Sequence, residues 1–117
     1  MNPLDIAKQV AGILDSKKAE NIKVIEIDKI SSLADYFILA TGTGNTHVKS
    51  LADEVEEKLK GEGIYPAGVE GYRSNSWVLL DYHSIVVHIF TEEGRGFYDL
   101  DRLWVDGKQV EIDLLPN

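Results

Sequence analysis

The chain has 117 residues, which is the size of one domain. It contains no cysteine, which excludes disulfides, thiolate nucleophiles and cysteine-ligated metals and is compatible with a reducing compartment. Its 12 basic and 20 acidic residues give a net charge of −8. Such a surface would repel a nucleic-acid backbone and attract a basic protein, or the charge simply keeps a small protein in solution. No apolar run approaches the roughly 20 residues that span a bilayer, and no signal-peptide pattern is present, so we predict a single cytoplasmic domain over residues 1–117 with no DNA or membrane partner.

The first elements are a helix and two strands. Asn2 is placed to cap the helix and Pro3 to occupy its first position. The buried stripe of this helix follows at the spacing i, i+3, i+4 and i+7: Ala7, Val10, Ala11 and Leu14. Residues 21–28 and 35–41 are predicted strands. The second is a nearly continuous apolar run, which is typical of a strand covered on both faces.

A glycine-containing turn, Thr41–Thr46, leads into the clearest helix of the sequence, which either Asn45 or Thr46 is predicted to cap. The apolar stripe of that helix is Val48, Leu51, Ala52, Val55 and Leu59. Backbone amides at such a turn can hold a phosphate. Because the turn lacks the lysine of a P-loop and does not complete a dinucleotide-binding fingerprint, we favour a simple strand-to-helix connection.

The second half begins with a short extended piece, residues 67–70, followed by the strongest strand pair, residues 76–82 and 84–91. The short connection between these two strands predicts an antiparallel hairpin. Residues 94–104 follow as a turn and short helix, and residues 110–114 as a short terminal strand or a loose tail. The fold class predicted from this order is α/β, with a mixed, roughly five-stranded sheet flanked by helices, mainly on one side.

A strand, a short glycine turn and a helix also open the nucleotidyltransferase fold, whose chemistry requires clustered carboxylates that hold Mg²⁺. Glu26 and Asp28 have a suitable spacing but precede the turn, whereas Glu70 and Asp81 stand alone on their segments. None of the three histidines shows metal-ligand spacing: His47, His83 and His88. We therefore predict no catalytic residue, no metal and no cofactor. A metal-dependent nucleotidyltransferase or a nucleotide-binding protein is the alternative.

Large amphipathic side chains are concentrated in the second half: Tyr72, Arg73, Trp77, Tyr82, Arg95, Tyr98, Arg102 and Trp104. Such residues frequently dominate the binding energy of protein interfaces. Strand alternation places Trp77 and Asp81 on one face of the hairpin and Tyr82 on the other. These aromatic residues either fill the core or form a partner-binding platform, and for Trp104 we favour the core. His88, inside a strand, is interpreted as a half-buried structural or interface residue.

Five groups of residues carry a family resemblance: Ala34-Asp35-Tyr36-Phe37 with Thr41-Gly42, Glu70-Gly71, Trp77-Val78-Leu79-Leu80-Asp81-Tyr82, Val87-His88-Ile89-Phe90, and Arg95-Gly96-Phe97-Tyr98-Asp99-Leu100 leading to Leu103-Trp104. These groups run through almost the whole chain. In their order and spacing the sequence resembles the ribosomal silencing factor family, RsfS, also called the Iojap family. One position departs from the family pattern, because Asp101 stands where a glutamate is common. The negative charge is kept.

The resemblance implies a nucleotidyltransferase-like fold without the catalytic carboxylates, and a protein that is not an enzyme. Members of the family bind the large ribosomal subunit through its protein number fourteen, block joining of the small subunit and repress translation when nutrients are short. Many members are homodimers in isolation. The net charge of −8 suits a basic ribosomal protein as partner, but neighbouring RNA would repel it. Binding is therefore expected to depend on a local surface of defined shape.

We predict that this surface lies on residues 70–82 and the following hairpin, centred on Trp77, Asp81 and Tyr82. Gly71 would allow close approach of a partner backbone, and Arg73 would supply a hydrogen-bonding fork. The full set of predicted partner-binding residues is Glu70, Gly71, Tyr72, Arg73, Trp77, Asp81, Tyr82 and His88.

Overall fold

The computed structural model describes residues 2–71, 76–102 and 107–110. Its elements in chain order are α1 (Pro3–Ser16), β1 (Glu20–Glu26), β2 (Tyr36–Gly42), α2 (Asn45–Lys60), β3 (Gly68–Glu70), β4 (Trp77–Asp81), β5 (Ile85–Thr91), α3 (Glu92–Tyr98), the 3₁₀ helix η1 (Leu100–Arg102) and β6 (Lys108–Val110). None of the described helices combines the length and the apolar character needed to cross a membrane. Residues 103–106 and 111–117, which include Trp104 and most of the predicted terminal strand, lie outside the described residues.

The strands form one sheet in the order β3-β4-β5-β2-β1-β6. The central pair, β2 and β5, is parallel, and the other neighbouring pairs are antiparallel. The prediction of a mixed, roughly five-stranded sheet flanked by helices is therefore confirmed, with a short sixth strand, β6, at one edge. The predicted hairpin is formed by β4 and β5, in register from Trp77 opposite Phe90 to Asp81 opposite Val86. The Asp81 carboxylate accepts a hydrogen bond from the His83 amide at 2.8 Å and closes the turn.

One face of the sheet, which we call the helix face, is covered by α1 and α2. The predicted stripes of both helices are buried there, together with side chains from the central strands. Asn2 caps α1 as predicted, accepting a hydrogen bond from the Asp5 amide at 2.9 Å. The predicted cap of α2 is wrong, because Asn45 and Thr46 lie inside the helix and Gly44 occupies the cap position.

His47 links the start of α2 to the end of α1. Its Nδ1 accepts a hydrogen bond from the Thr43 amide at 2.9 Å, and its Nε2 lies 2.8 Å from the Lys17 carbonyl oxygen. The tautomer that carries its proton on Nε2 satisfies both groups. The Thr43 amide in the glycine turn is thereby already bonded within the chain, which agrees with a structural connection rather than a phosphate cradle.

The opposite face of the sheet, which we call the open face, is only partly covered. A smaller apolar cluster lies on it, with Trp77, Leu79 and Leu100 partly buried against Ile25, Ile27, Ala34, Phe37, Leu39, Val86 and Phe90. Within the described residues, the short α3, which follows β5 directly, contacts β5 and β2, and Leu100 of η1 packs against the apolar cluster. This difference in covering places the candidate functional site on the open face.

Candidate functional site: a groove on the open face of the sheet

A groove of about 370 Å³ runs over the open face between η1 and the loop that joins β1 to β2. It is lined by Leu33, Phe37, Glu70, Trp77, Leu79, Asp81, Val86, His88 and Leu100. The strand register explains this set, because Glu70 is opposite Leu79, and Leu79 is opposite His88. Paired residues point to the same face, and so do residues two positions apart along one strand. We call this feature the sheet-face groove.

Trp77 is the largest side chain of the sheet-face groove and is held in place by other rings. Its indole Nε1 donates a hydrogen bond to Nδ1 of His88 at 3.1 Å. Its ring centroid lies 4.4 Å from that of Tyr98 and 5.5 Å from that of Phe90. Aromatic pairs at such distances add about 0.5–1.5 kcal/mol beyond area burial. The half-buried indole is therefore already ordered before any partner arrives, which lowers the entropy cost of binding.

His88 forms part of the floor of the groove and is 3% exposed, so it is buried rather than half-buried. Burial lowers the pKa of His88 to about 3, and the ring is therefore neutral at physiological pH. Since Nδ1 accepts from Trp77, the ring proton lies on Nε2. Within the described residues Nε2 has no hydrogen-bond partner. The principal role of His88 visible in the structure is to orient the Trp77 indole.

The charged residues that line the groove within the described part of the chain are Glu70 and Asp81, and both are acidic. Glu70 is exposed on the edge strand β3. Asp81 uses one carboxylate oxygen for the turn amide of His83. The groove thus combines an apolar floor with negative charge at its edge. This combination is suited to a partner segment that carries both apolar and basic side chains.

The structure does not bring Tyr82 to this surface. Tyr82 is 7% exposed and packs into the core of the helix face, and burial together with the nearby Glu56 raises its pKa to about 12. The predicted centre of the surface at Trp77, Asp81 and Tyr82 is corrected accordingly. The physical reason is the two-residue period of a strand, which separates Tyr82 from its neighbour Asp81.

The other predicted residues are placed as follows. Gly71 has φ +92°, and a Cβ atom at this position would lie 1.9 Å from the Trp77 carbonyl oxygen. The close backbone approach that requires glycine here is therefore made by β4 of the same chain, not by a partner. Tyr72 and Arg73 lie outside the described residues. Of the predicted set, the structure brings Glu70, Trp77, Asp81 and His88 together.

Two exposed apolar residues near this face are not among the predicted partner-binding residues. Leu33, in the loop before β2, is 75% exposed, and Phe97 on α3 is 80% exposed. The only sequence feature that could have indicated Leu33 is that it is a single leucine after two serines. Arg95, one of the large amphipathic side chains of the second half, is only 8% exposed and forms a network of hydrogen bonds with Asn21, Thr41 and Asp101.

The carboxylates that were considered for metal binding are not gathered in one site. Glu26 and Asp28 lie near Tyr36, at a distance from the groove that contains Glu70 and Asp81. Burial and the adjacent charges of Glu26, Asp28 and Asp35 raise the pKa of Tyr36. Among the residues that the structure describes, no group of three or more histidine or carboxylate side chains is arranged to hold a metal ion.

Comparison with known proteins finds relatives whose names refer to the ribosome. A family profile described as "Ribosomal silencing factor during starvation" matches residues 1–117. The ribosomal silencing factor RsfS of Bacillus subtilis is 34% identical over 117 residues, covering 100% of this chain and 99% of that protein. A mouse protein named "Mitochondrial assembly of ribosomal large subunit protein 1" is 26% identical over 98 residues, which cover 81% of this chain and 43% of the mouse protein.

A solved structure shares the fold. The crystal structure of a Chromobacterium violaceum protein superposes with a TM-score of 0.86 at 36% sequence identity, covering 96% of this chain and 92% of that one. The fold described above is therefore similar to one that has been observed by crystallography.

Proposed function

Because this chain belongs to the ribosomal silencing factor family, we propose that it represses translation by binding the large ribosomal subunit through ribosomal protein number fourteen. Bound there, it blocks joining of the small subunit sterically and catalyses no reaction. The regulatory names of its relatives and the large-subunit name of the mouse protein support this assignment. We place its action in the cytoplasm.

The observation that supports a protein contact most directly is the sheet-face groove. Its floor presents a preordered tryptophan and apolar side chains, and its rim presents Glu70 and Asp81. Partly buried aromatic anchors of this kind often contribute 2 kcal/mol or more to a protein interface. A negatively charged rim favours a basic protein over an RNA backbone. We therefore propose that the groove receives an apolar and basic segment of the ribosomal protein.

Steric block requires that the bound protein extend well beyond its contact surface. The chain measures 33 × 33 × 31 Å along its principal axes. The groove occupies one face of the sheet, whereas α1 and α2 lie on the other. A partner bound in the groove would leave the helical layer projecting away from the large subunit. In the proposed mechanism this layer occupies space that the small subunit needs for joining.

The experiment that tests this function is a sucrose-gradient assay with separated ribosomal subunits. Adding the wild-type protein is expected to leave it on the large subunit and to reduce the fraction of joined ribosomes. Trp77→Ala should lose both effects, and Tyr65→Ala, which removes an aromatic ring that is 63% exposed outside the groove, should lose neither. Wild-type protein that never sediments with large subunits would contradict the proposal.

The enzymatic alternative is tested by calorimetric titration of ATP or CTP in the presence of Mg²⁺. We expect no saturable heat. Tight, Mg²⁺-dependent binding of either nucleotide would favour the nucleotidyltransferase hypothesis over the silencing factor.

We also propose that the isolated chain forms a homodimer, as the resemblance implies. Light scattering after gel filtration measures this directly, with and without Trp77→Ala. If the groove forms the dimer contact, the variant is monomeric and the dimer competes with ribosome binding. A variant that remains dimeric would place the contact elsewhere.

A further inference from the structure

Next to Trp77 the sheet-face groove is bordered by Leu100 of η1, and Tyr98 at the end of α3 packs against the Trp77 ring. The helix α3 has little apolar anchorage of its own. Its buried residues are Gly94 and Arg95, while Phe97 is 80% exposed and Tyr98 is 38% exposed. Even so, the Tyr98 ring lies 4.4 Å from Trp77, and Leu100 of η1 lines the groove. Polar contacts must therefore contribute to holding α3 and η1 in place.

Arg95 supplies those contacts. Its Nη1 donates to the Asn21 carbonyl oxygen of β1 at 2.6 Å and to Thr41 Oγ1 of β2 at 2.9 Å. Its Nε and Nη2 donate to the two carboxylate oxygens of Asp101 at 2.9 Å each. The guanidinium thus connects the neighbouring strands β1 and β2, the helix that carries it and η1. Lys23 adds a further bond from β1 to Asp101 at 2.9 Å.

The guanidinium is suited to this position for geometric reasons. Four of its five N–H groups are used in the bonds just described, and the fork to Asp101 is bidentate. A lysine ammonium is a single point and does not reproduce two parallel bonds to a carboxylate together with bonds to two strands. At its start, α3 also fits closely against the residue that precedes β4, since a Cβ atom on Gly94 would lie 2.4 Å from the Ser76 carbonyl oxygen.

We propose that Arg95 is a positioning residue for partner binding. Its guanidinium, fixed on the strands, holds α3 and η1 so that Tyr98 and Leu100 stand beside Trp77 as the partner requires, and it does not itself contact the partner. This inference rests on the proposed function, because it assigns the groove to partner binding.

The test compares three variants for affinity to purified large subunits: Arg95→Lys, Asp101→Asn and Asp101→Glu. We expect the first two to bind roughly tenfold more weakly, within the range by which residues outside an interface alter coupled binding. Asp101→Glu keeps the carboxylate that receives the fork and should restore most of the affinity lost in Asp101→Asn. The control is Val10→Ala, which removes apolar contacts from the core of the helix face and should lower the melting temperature without weakening binding.

A spectroscopic measurement separates position from stability. In ¹H–¹⁵N spectra of the free proteins, Arg95→Lys and Asp101→Asn should shift the amide signals of Tyr98 and Leu100 and the indole signal of Trp77. Amides of the helix face, such as that of Ile38, should stay in place. The Trp77 indole signal is identified by its absence in Trp77→Phe.

The outcomes are distinct. If Arg95→Lys and Asp101→Asn bind like the wild type and leave these signals unchanged, the inference is overturned. Loss of binding in Trp77→Ala would still support the proposed function. If the wild type does not bind large subunits, the proposed function fails, and unchanged groove signals in the variants would still reject the positioning role. Should Arg95→Lys not fold, Asp101→Asn decides the question. If Val10→Ala weakens binding to the large subunit as much as Arg95→Lys and Asp101→Asn do, Arg95 contributes to binding only through the stability of the fold.

Discussion

The two faces of the sheet bury apolar side chains in different ways. On the helix face, α1 and α2 cover the strands, and residues such as Leu80 and Ile38 are fully buried. On the open face, the short α3 and η1 cover only part of the strands, and Trp77 and Leu79 stay half-exposed beside a groove. Apolar burial on the helix face stabilises the fold, and the open face retains apolar surface that a partner can cover.

The elements beside the groove illustrate the same contrast. The helices of the helix face are held by apolar stripes, whereas α3 is held largely through the hydrogen bonds of Arg95. Hydrogen bonds depend on distance and angle more strongly than apolar contact does. An element anchored in this way is fixed in orientation while its aromatic side chains remain available. The comparison predicts that substitutions on the two faces affect stability and binding differently.

The largest expected effect comes from adjacent residues of β4 that point to opposite faces. Leu80→Ala removes a fully buried side chain from the helix face and should cost about 2–5 kcal/mol of unfolding free energy. Leu79→Ala, on the half-exposed side, should cost clearly less but weaken binding to the large subunit. Urea denaturation and subunit affinity measure the two quantities. Equal losses of stability would show that the open face is as important for folding as the helix face.

The next effect is on binding. Trp77→Ala should weaken large-subunit binding by at least about 2 kcal/mol, because it removes the preordered ring of the groove. Trp77→Phe keeps an aromatic ring but loses the hydrogen bond to His88, and it should fall between the alanine variant and the wild type. Far-ultraviolet circular dichroism serves to check that both variants are folded. Wild-type affinity in a folded Trp77→Ala protein would remove the groove from the interface.

A third effect is the dependence of stability on pH. Burial lowers the pKa of His88 from 6.5 to about 3, so below pH 6.5 the unfolded chain takes up a proton that the folded ring resists. The contribution of the neutral His88 ring to the unfolding free energy is therefore fully present above pH 6.5. It is lost as the pH falls toward 3, by at most about 1.4 kcal/mol per pH unit. Urea denaturation between pH 7 and pH 5 measures this slope. In His88→Gln the slope should be much smaller, and an unchanged slope would assign it to other groups.

The smallest effect concerns the acidic rim. Glu70→Gln and Asp81→Asn should each weaken binding by about 0.5–1 kcal/mol at low salt, mainly through slower association, and by less at high salt. The asparagine at position 81 keeps an acceptor for the His83 amide, so the turn should remain intact. Asp53→Asn, an exposed change on α2, is the charge-matched control. If the control has the same effect, net charge rather than the rim would govern association.

The sequence by itself determined the local elements and the alternation of their faces. The apolar stripes of α1 and α2, the hairpin of β4 and β5, and the separation of Trp77 from Tyr82 all follow from the periods of helix and strand, which are properties of neighbouring residues. The family was identifiable from motifs such as Trp77–Tyr82, because their order and spacing are also local. Glu70, Trp77, Asp81 and His88 were predicted for the site on this basis.

Only the tertiary structure decided which face stays open, and it thereby assigned Tyr82 to the core and Leu33 to the groove. It also showed that the glycine at position 71 accommodates the Trp77 backbone and that Arg95 is buried. These features depend on contacts between residues far apart in the chain, such as Arg95 with Asn21 and Thr41. The period of a strand reveals that it has two faces, but which face the helices cover is set by how the whole chain packs.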